Sequence, residues 1–246
     1  MNKAQTNKVK KVNSLLIDYF GIPKRNSVLP DPVEMTIGTI LSQNTNDNNS
    51  YKAYNNLKQK FKTWEAIKDA SLSEIESEIK IAGLGKQKSA AIKNFLTSLK
   101  KENGEISLEQ IKSLDSLTAI TKLTSYKGIG VKTASCVLLF ALDRDVCPVD
   151  THLFRTVNRL GIVSASNRDK TFFLLNDNFP PKIAHSFHTN LIRLGREICK
   201  SQNPSCGICP IEKSCTFDKK ILDNKKAVKS KSFMLLDNIA PQTVKK

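Results

Sequence analysis

Three groups of residues in this 246-residue chain have the types and spacing to do chemistry. The first is Cys199, Cys206, Cys209 and Cys215, in the pattern C-x6-C-x2-C-x5-C, with Pro204, Gly207 and Pro210 supplying bends between them. Four thiolates on so short a loop can surround tetrahedral zinc or an iron–sulfur cube, and the sulfur count does not separate the two. Zinc modules mostly use two close pairs, whereas only Cys206 and Cys209 form one here. The remaining two of the six cysteines, Cys136 and Cys147, lie in apolar or loop surroundings and read as ordinary small residues.

The second group is Tyr126-Lys127-Gly128-Ile129-Gly130-Val131-Lys132-Thr133-Ala134. Two glycines around one hydrophobe permit a tight turn with positive φ and bare backbone. The N–H groups there, together with the start of the following helix, form a pocket for an anion such as a phosphate. Lys132 falls in the first helical turn, where the macrodipole disfavours a cation and pushes the amine toward its neutral, nucleophilic form. A solvated, phosphate-contacting lysine would satisfy the position equally well.

The third group is Val149-Asp150-Thr151-His152-Leu153-Phe154-Arg155. Asp150 precedes a helical apolar pattern and is placed as its N-cap. An N-capped carboxylate stays ionised and can offset positive charge developing on a reacting sugar. His152 reads as a structural histidine, and Arg155 and Arg159 as a basic face.

Helices must position these groups, because apolar residues recur three or four apart and no alternating strand pattern is convincing. Helical segments are expected at Pro32–Leu41, Asn48–Phe61, Ser73–Ile81, Lys86–Lys100, Ser107–Leu114 and Leu117–Ser125. Further ones are expected at Lys132–Leu142, Thr151–Leu160, Asp169–Asp177 and Ile183–Lys200. Short breakers such as Gly83-Leu84-Gly85 and Pro180-Pro181 separate them, which makes an all-α chain. Lys plus Arg number 39 against 23 Asp plus Glu, and the resulting +16 charge favours a polyanionic partner. No run of eighteen apolar residues is present, so a membrane span is not expected. Met1–Lys11 is polar and Lys-rich and lacks the apolar stretch of a secretory signal, so an intracellular location, cytoplasm or nucleoid, is expected. Reduced thiols there make disulfides the poorer reading of the cysteine cluster.

Taken together, Gly-Ile-Gly-Val-Lys-Thr-Ala followed by Val-Asp-Thr-His-Leu-Phe-Arg resembles the helix-hairpin-helix (HhH-GPD) DNA glycosylase superfamily, and within it the endonuclease III family. The likeness also covers Ile40-Leu41-Ser42-Gln43-Asn44-Thr45-Asn46-Asp47, Ala82-Gly83-Leu84-Gly85 and the four cysteines, so it runs from about Pro32 to Phe217. The resemblance implies a base-excision-repair enzyme acting on double-stranded DNA with a damaged base, an oxidised pyrimidine, or an abasic site. Lys132 would attack the sugar C1′, expel the base and form a Schiff base, and β-elimination would then nick the strand. Asp150 would support that step. Leu84 would wedge into the duplex, Gln43 or Asn44 would fill the gap left by the flipped base, and Lys127, Gly128 and Gly130 would contact phosphate. The same resemblance makes the metal a [4Fe-4S] cluster on Cys199, Cys206, Cys209 and Cys215.

Two departures stand out. Relatives usually carry Leu-Pro before the hairpin where this chain has Tyr126-Lys127, and their Ser-Ala-Gln-Ala-Thr-Asp is here Ser-Gln-Asn-Thr-Asn-Asp. The expected architecture is two helical domains with a DNA-binding groove between them. Residues 32–143 form a helical barrel, 1–31 plus 144–217 a second domain with the cluster, and 218–246 a basic, disordered tail. A monomer is expected. The alternatives are a monofunctional mismatch or adenine glycosylase and a non-catalytic DNA-binding iron–sulfur protein.

Overall fold

The computed structural model describes residues 1–226 and 235–239, and the described residues contain helices and no strand. Eleven α-helices follow in order among them: α1 (Lys3–Phe20), α2 (Pro32–Ser42), α3 (Asp47–Lys60), α4 (Trp64–Asp69), α5 (Leu72–Ile79), α6 (Gly85–Asn103), α7 (Ser116–Thr124), α8 (Val131–Ala141), α9 (Thr151–Arg159), α10 (Arg168–Asn176) and α11 (Ala184–Glu197). Polar caps start most of them: Asp31, Asn46, Thr63, Ser71, Asp115, Asp150 and Asn167 each accept from a backbone N–H of the first turn. The segment expected as a helix over Ser107–Leu114 is only a 3-10 turn at Glu109–Lys112.

The chain divides into two units, residues 1–24 with 144–232 and residues 25–143 with 233–246. The core of the second is α2 against α8. Every residue of α2 from Pro32 to Leu41 is buried, and so is every residue of α8 from Thr133 to Ala141. A helix apolar on all sides belongs at the centre of its domain, with others around it. Its hydroxyls bond within the helix: Thr36 and Thr39 donate to the carbonyls of Pro32 and Met35, and Ser135 to those of Val131 and Lys132. Helices α3 to α7 surround this pair.

In the first unit α11 packs against both α1 and α9, and α10 packs on α9. Helix α1 has no counterpart among the helices expected from sequence. Its apolar stripe is narrow, with Val9, Val12 and Leu16 buried amid lysines.

Two expected boundaries are corrected. Residues 25–31 belong with the α2–α8 unit, because Arg25 bonds Asp143 and the Leu139 carbonyl and Asn26 donates to the Ile239 carbonyl. The C-terminal stretch is not a tail wherever it is described. Ser205 Oγ donates to the Lys226 carbonyl at 2.6 Å, and Lys220 pairs with Glu212 at 2.7 Å. Leu235 and Ile239 are fully buried, and the Leu235 N–H donates to the Asp47 carboxylate. Ile239 needs a notch in α2: a Cβ at Gly38 would lie 2.2 Å from its Cδ1. Residues 227–234 and 240–246 of the expected tail lie outside the described residues.

Candidate active site

Helix α7 ends at Thr124 and the chain turns through Ser125–Gly130 into α8, with the Ile129 N–H closing on the Tyr126 carbonyl at 3.0 Å. Tyr126 anchors the turn from below. Its ring meets Phe95 edge-on at 5.4 Å and its hydroxyl donates to Glu102 at 3.0 Å. Lys122 pairs with the same carboxylate at 2.6 Å. Lys127 stands exposed on the outside of the turn.

The two glycines differ. Gly128 has φ 93°, and a Cβ there would lie 2.8 Å from the Ala91 Cβ, so both backbone and space demand glycine. Gly130 has an ordinary φ of −97° and nothing within 4 Å of where its Cβ would be, so the expected positive φ holds at one position only. No side chain caps α8 at Gly130, which leaves its first N–H groups facing outward in the manner of an anion site. Gly130→Val should therefore fold normally yet weaken binding to undamaged duplex DNA, by about 10-fold or more, if bare backbone there meets phosphate. Gly128→Ala should instead lower the thermal midpoint, and equal DNA affinity in Gly130→Val and wild type would remove the contact.

Lys132 lies half-buried in the first turn of α8, and among the described residues its Nζ has no hydrogen-bond or ion-pair partner. In the other unit, Asp150 is the N-cap of α9, its Oδ1 accepting from the Leu153 N–H at 2.8 Å. His152 packs in the close crossing of α9 and α11, where a Cβ on Gly195 would lie 2.7 Å from it. Burial holds its pKa below the usual histidine range, against the opposing pull of the Asp150 carboxylate.

Two turns of the α2–α8 unit carry the other expected contacts. Gln43 is tied down, its Nε2 donating to the Thr133 hydroxyl at 3.2 Å, beside Lys132 in sequence. Asn44 is exposed and left-handed, with φ 50°. Leu84 is also left-handed, φ 53°, and 46 % exposed. That conformation costs a leucine on the order of 1 kcal/mol, and such strain held at an exposed apolar tip points to use. Ile81, which sequence reasoning passed over, is 41 % exposed three residues earlier.

Cys199, Cys206, Cys209 and Cys215 line one cavity with Arg159, Ile198 and Phe217. Helix α9 holds that loop through two arginines. Arg155 donates to the carbonyls of Cys199 and Gly195, both at 2.9 Å, and Arg159 to those of Lys200 and Ser201 at 2.7 and 3.0 Å. The Arg159 guanidinium also reaches the Cys199 sulfur at 3.4 Å and covers the Phe217 ring at 4.2 Å. Burial pushes the Cys209 thiol up to about 12. Gly207 passes under the following segment, where a Cβ would lie 2.1 Å from the Leu222 carbonyl. One short helix thus carries Asp150 at its start and supports the cysteine loop at its end.

Residues 37–181 match the HhH-GPD superfamily of base excision DNA repair proteins. An endonuclease III from Thermotoga maritima is 32 % identical over 194 residues, covering 78 % of this chain and 86 % of the relative. One from Sulfolobus acidocaldarius is 35 % identical over 191 residues, covering 76 % and 82 %. A DNA glycosylase relative in Arabidopsis thaliana is longer: it is 37 % identical over 163 residues, and the match covers 66 % of this chain and 55 % of that protein. The fold is that of a solved non-covalent endonuclease III–DNA complex, with a TM-score of 0.72 at 24 % identity over 86 % of this chain and 95 % of that one. A thermostable thymine-DNA glycosylase has the same fold, at a TM-score of 0.71 and 22 % identity, covering 87 % of this chain and 98 % of that one. The chain belongs to the HhH-GPD superfamily of base excision DNA repair proteins. It is an endonuclease III-like DNA glycosylase.

Proposed function

We propose that this glycosylase is bifunctional, removing oxidised pyrimidines from duplex DNA and then cleaving the abasic strand. The observation that carries this reading is Lys132, an amine in the first turn after the hairpin that has no partner among the described residues. As a neutral amine it would form a bond to the sugar C1′ while the glycosidic electron pair leaves with the base, which takes up a proton. Loss of the amine proton and opening of the ring give an imine. Removal of a C2′ proton then expels the 3′ phosphate, and water hydrolyses the imine to free Lys132. The Asp150 carboxylate offsets the positive charge that grows on the sugar as the base departs. The base must leave the stack for the amine to reach C1′. Leu84 enters the duplex as the wedge and Asn44 fills the gap, whereas Gln43 serves as the tether of that turn to α8.

Wild-type protein on a duplex with one abasic site should leave a 3′ unsaturated aldehyde end without added base or heat. Thymine glycol should be released from duplex faster than thymine from a G·T mismatch. Base release that leaves every abasic site intact would instead favour the monofunctional reading.

The donor set fits a [4Fe-4S] cluster. Four cysteines line one cavity, as a cluster held by thiolates requires. Cys199, Cys206, Cys209 and Cys215 would hold it, and when bound it would cross-link the loop through four iron–thiolate bonds. Protein purified anaerobically should be yellow-brown, absorb broadly at roughly 400 nm and carry about four irons per chain. Colourless protein with about one zinc per chain would overturn the assignment.

A further inference from the structure

The first turn of α6 carries a lysine that does not behave as a surface lysine. Lys88 shares the buried face of the helix with Ile92, Phe95 and Leu99 and is only 2 % exposed. Its Nζ donates to the carbonyls of Leu41 and Ala82, both at 2.8 Å. Each of those carbonyls closes a helical segment, Leu41 near the end of α2 and Ala82 at the end of the 3-10 turn Lys80–Ala82. Carbonyls at such ends lack partners within their own helix and attract a cation. Burying the ammonium is costly, and it lowers the Lys88 pKa to about 8. Covered and doubly bonded, Nζ is not presented to any substrate.

The two carbonyls stand at the roots of two different turns. Two residues beyond Ala82 is Leu84, and three beyond Leu41 is Asn44, both exposed and left-handed. A single ammonium therefore ties the wedge turn to the gap-filling turn. From the latter, the bond between Gln43 and Thr133 leads on to the helix that bears Lys132.

We propose that Lys88 is a positioning residue for base extrusion, holding the Leu84 and Asn44 turns at one spacing so that wedge and gap-filler enter the duplex as a rigid pair. This rests on the roles given above to Leu84 and Asn44. The reaction at C1′ does not involve Lys88, so extrusion and chemistry should separate when it is changed.

The test uses full-length Lys88→Met, which keeps the side-chain volume but leaves both carbonyls unpaired. Extrusion is followed by the fluorescence of 2-aminopurine placed beside a thymine glycol in duplex DNA, and chemistry by borohydride trapping on a single-stranded abasic oligonucleotide, which needs no extrusion. Extrusion should slow on the order of 10-fold or more while single-strand trapping stays within about 2-fold of wild type, since misplacement by an ångström is enough for such a loss. Equal losses in both assays, or no loss in extrusion, would overturn the proposal. If Lys88→Met does not fold, Lys88→Gln decides: its side chain is one atom shorter, so its amide nitrogen does not reach the Nζ position 2.8 Å from both carbonyls, the same split is expected, and wild-type extrusion would refute the clamp. Leu84→Ala in the same extrusion assay separates the two ideas. A loss there with none at Lys88 sinks the clamp alone, and no loss at Leu84 sinks the wedge reading beneath it.

Discussion

Lys132→Ala should give no borohydride-trapped adduct on abasic duplex and should lose nicking by on the order of 10⁴-fold or more, the scale seen when a covalent nucleophile is removed. Binding should survive, because the N–H groups that start α8 and the turn through Gly128 and Gly130 do not depend on that side chain. Alanine is also the better helix former, so the first turn is not weakened. Lys88 is the lysine whose burial brings its pKa to about 8, and its Nζ is engaged at 2.8 Å by two carbonyls. Denaturing gels of borohydride-treated mixtures, with filter binding in parallel, read both quantities. An adduct that persists in Lys132→Ala would mean that the nucleophile lies elsewhere.

Asp150→Asn is the second large effect, and its size reports charge and not folding. An amide oxygen can accept from the Leu153 N–H as the carboxylate does at 2.8 Å, and asparagine caps helices nearly as well as aspartate. The thermal midpoint should therefore barely move. Base release under single-turnover conditions should nevertheless fall by about 10²-fold, because a neutral amide cannot offset positive charge on the sugar. Asp150→Ala would confuse the matter by adding a lost cap of about 1 kcal/mol. A stable Asp150→Asn enzyme with wild-type base release would remove the electrostatic role.

Local signals carried much of this site. The cysteine spacing, the Gly128–Gly130 turn and the capping position of Asp150 are each written within a few residues; the four cysteines line one cavity, Asp150 caps α9, and the positive φ expected of both glycines holds at Gly128 alone. What escaped depends on partners far along the chain. In a chain this rich in lysine, Lys88 looks solvated, and its two acceptors lie 47 and 6 residues away. Its place four residues before Ile92 and seven before Phe95, on the apolar face of α6, was the available signal. Helix α1 hides its narrow stripe among lysines, and its partner α11 lies far off at Ala184–Glu197. The left-handed backbone at Leu84 had no residue-type signal, since a leucine disfavours it, whereas asparagine at position 44 is a type that tolerates it. Gly38 reads as a weak point in a helix until Ile239 is seen filling the notch.

The interleaving of the two units has a consequence for synthesis. Residues 25–143 run without interruption, so α2 to α8 can pack on the ribosome once Asp143 has emerged, before Leu235 and Ile239 are made. Helix α1 emerges first yet must wait for α11, some 160 residues later, before its stripe is covered. An 18-residue helix without a partner is marginal in water, so this segment waits uncovered until α11 is made. Ile239, made about 200 residues after the Gly38 notch, then closes onto a core whose helices were made before it.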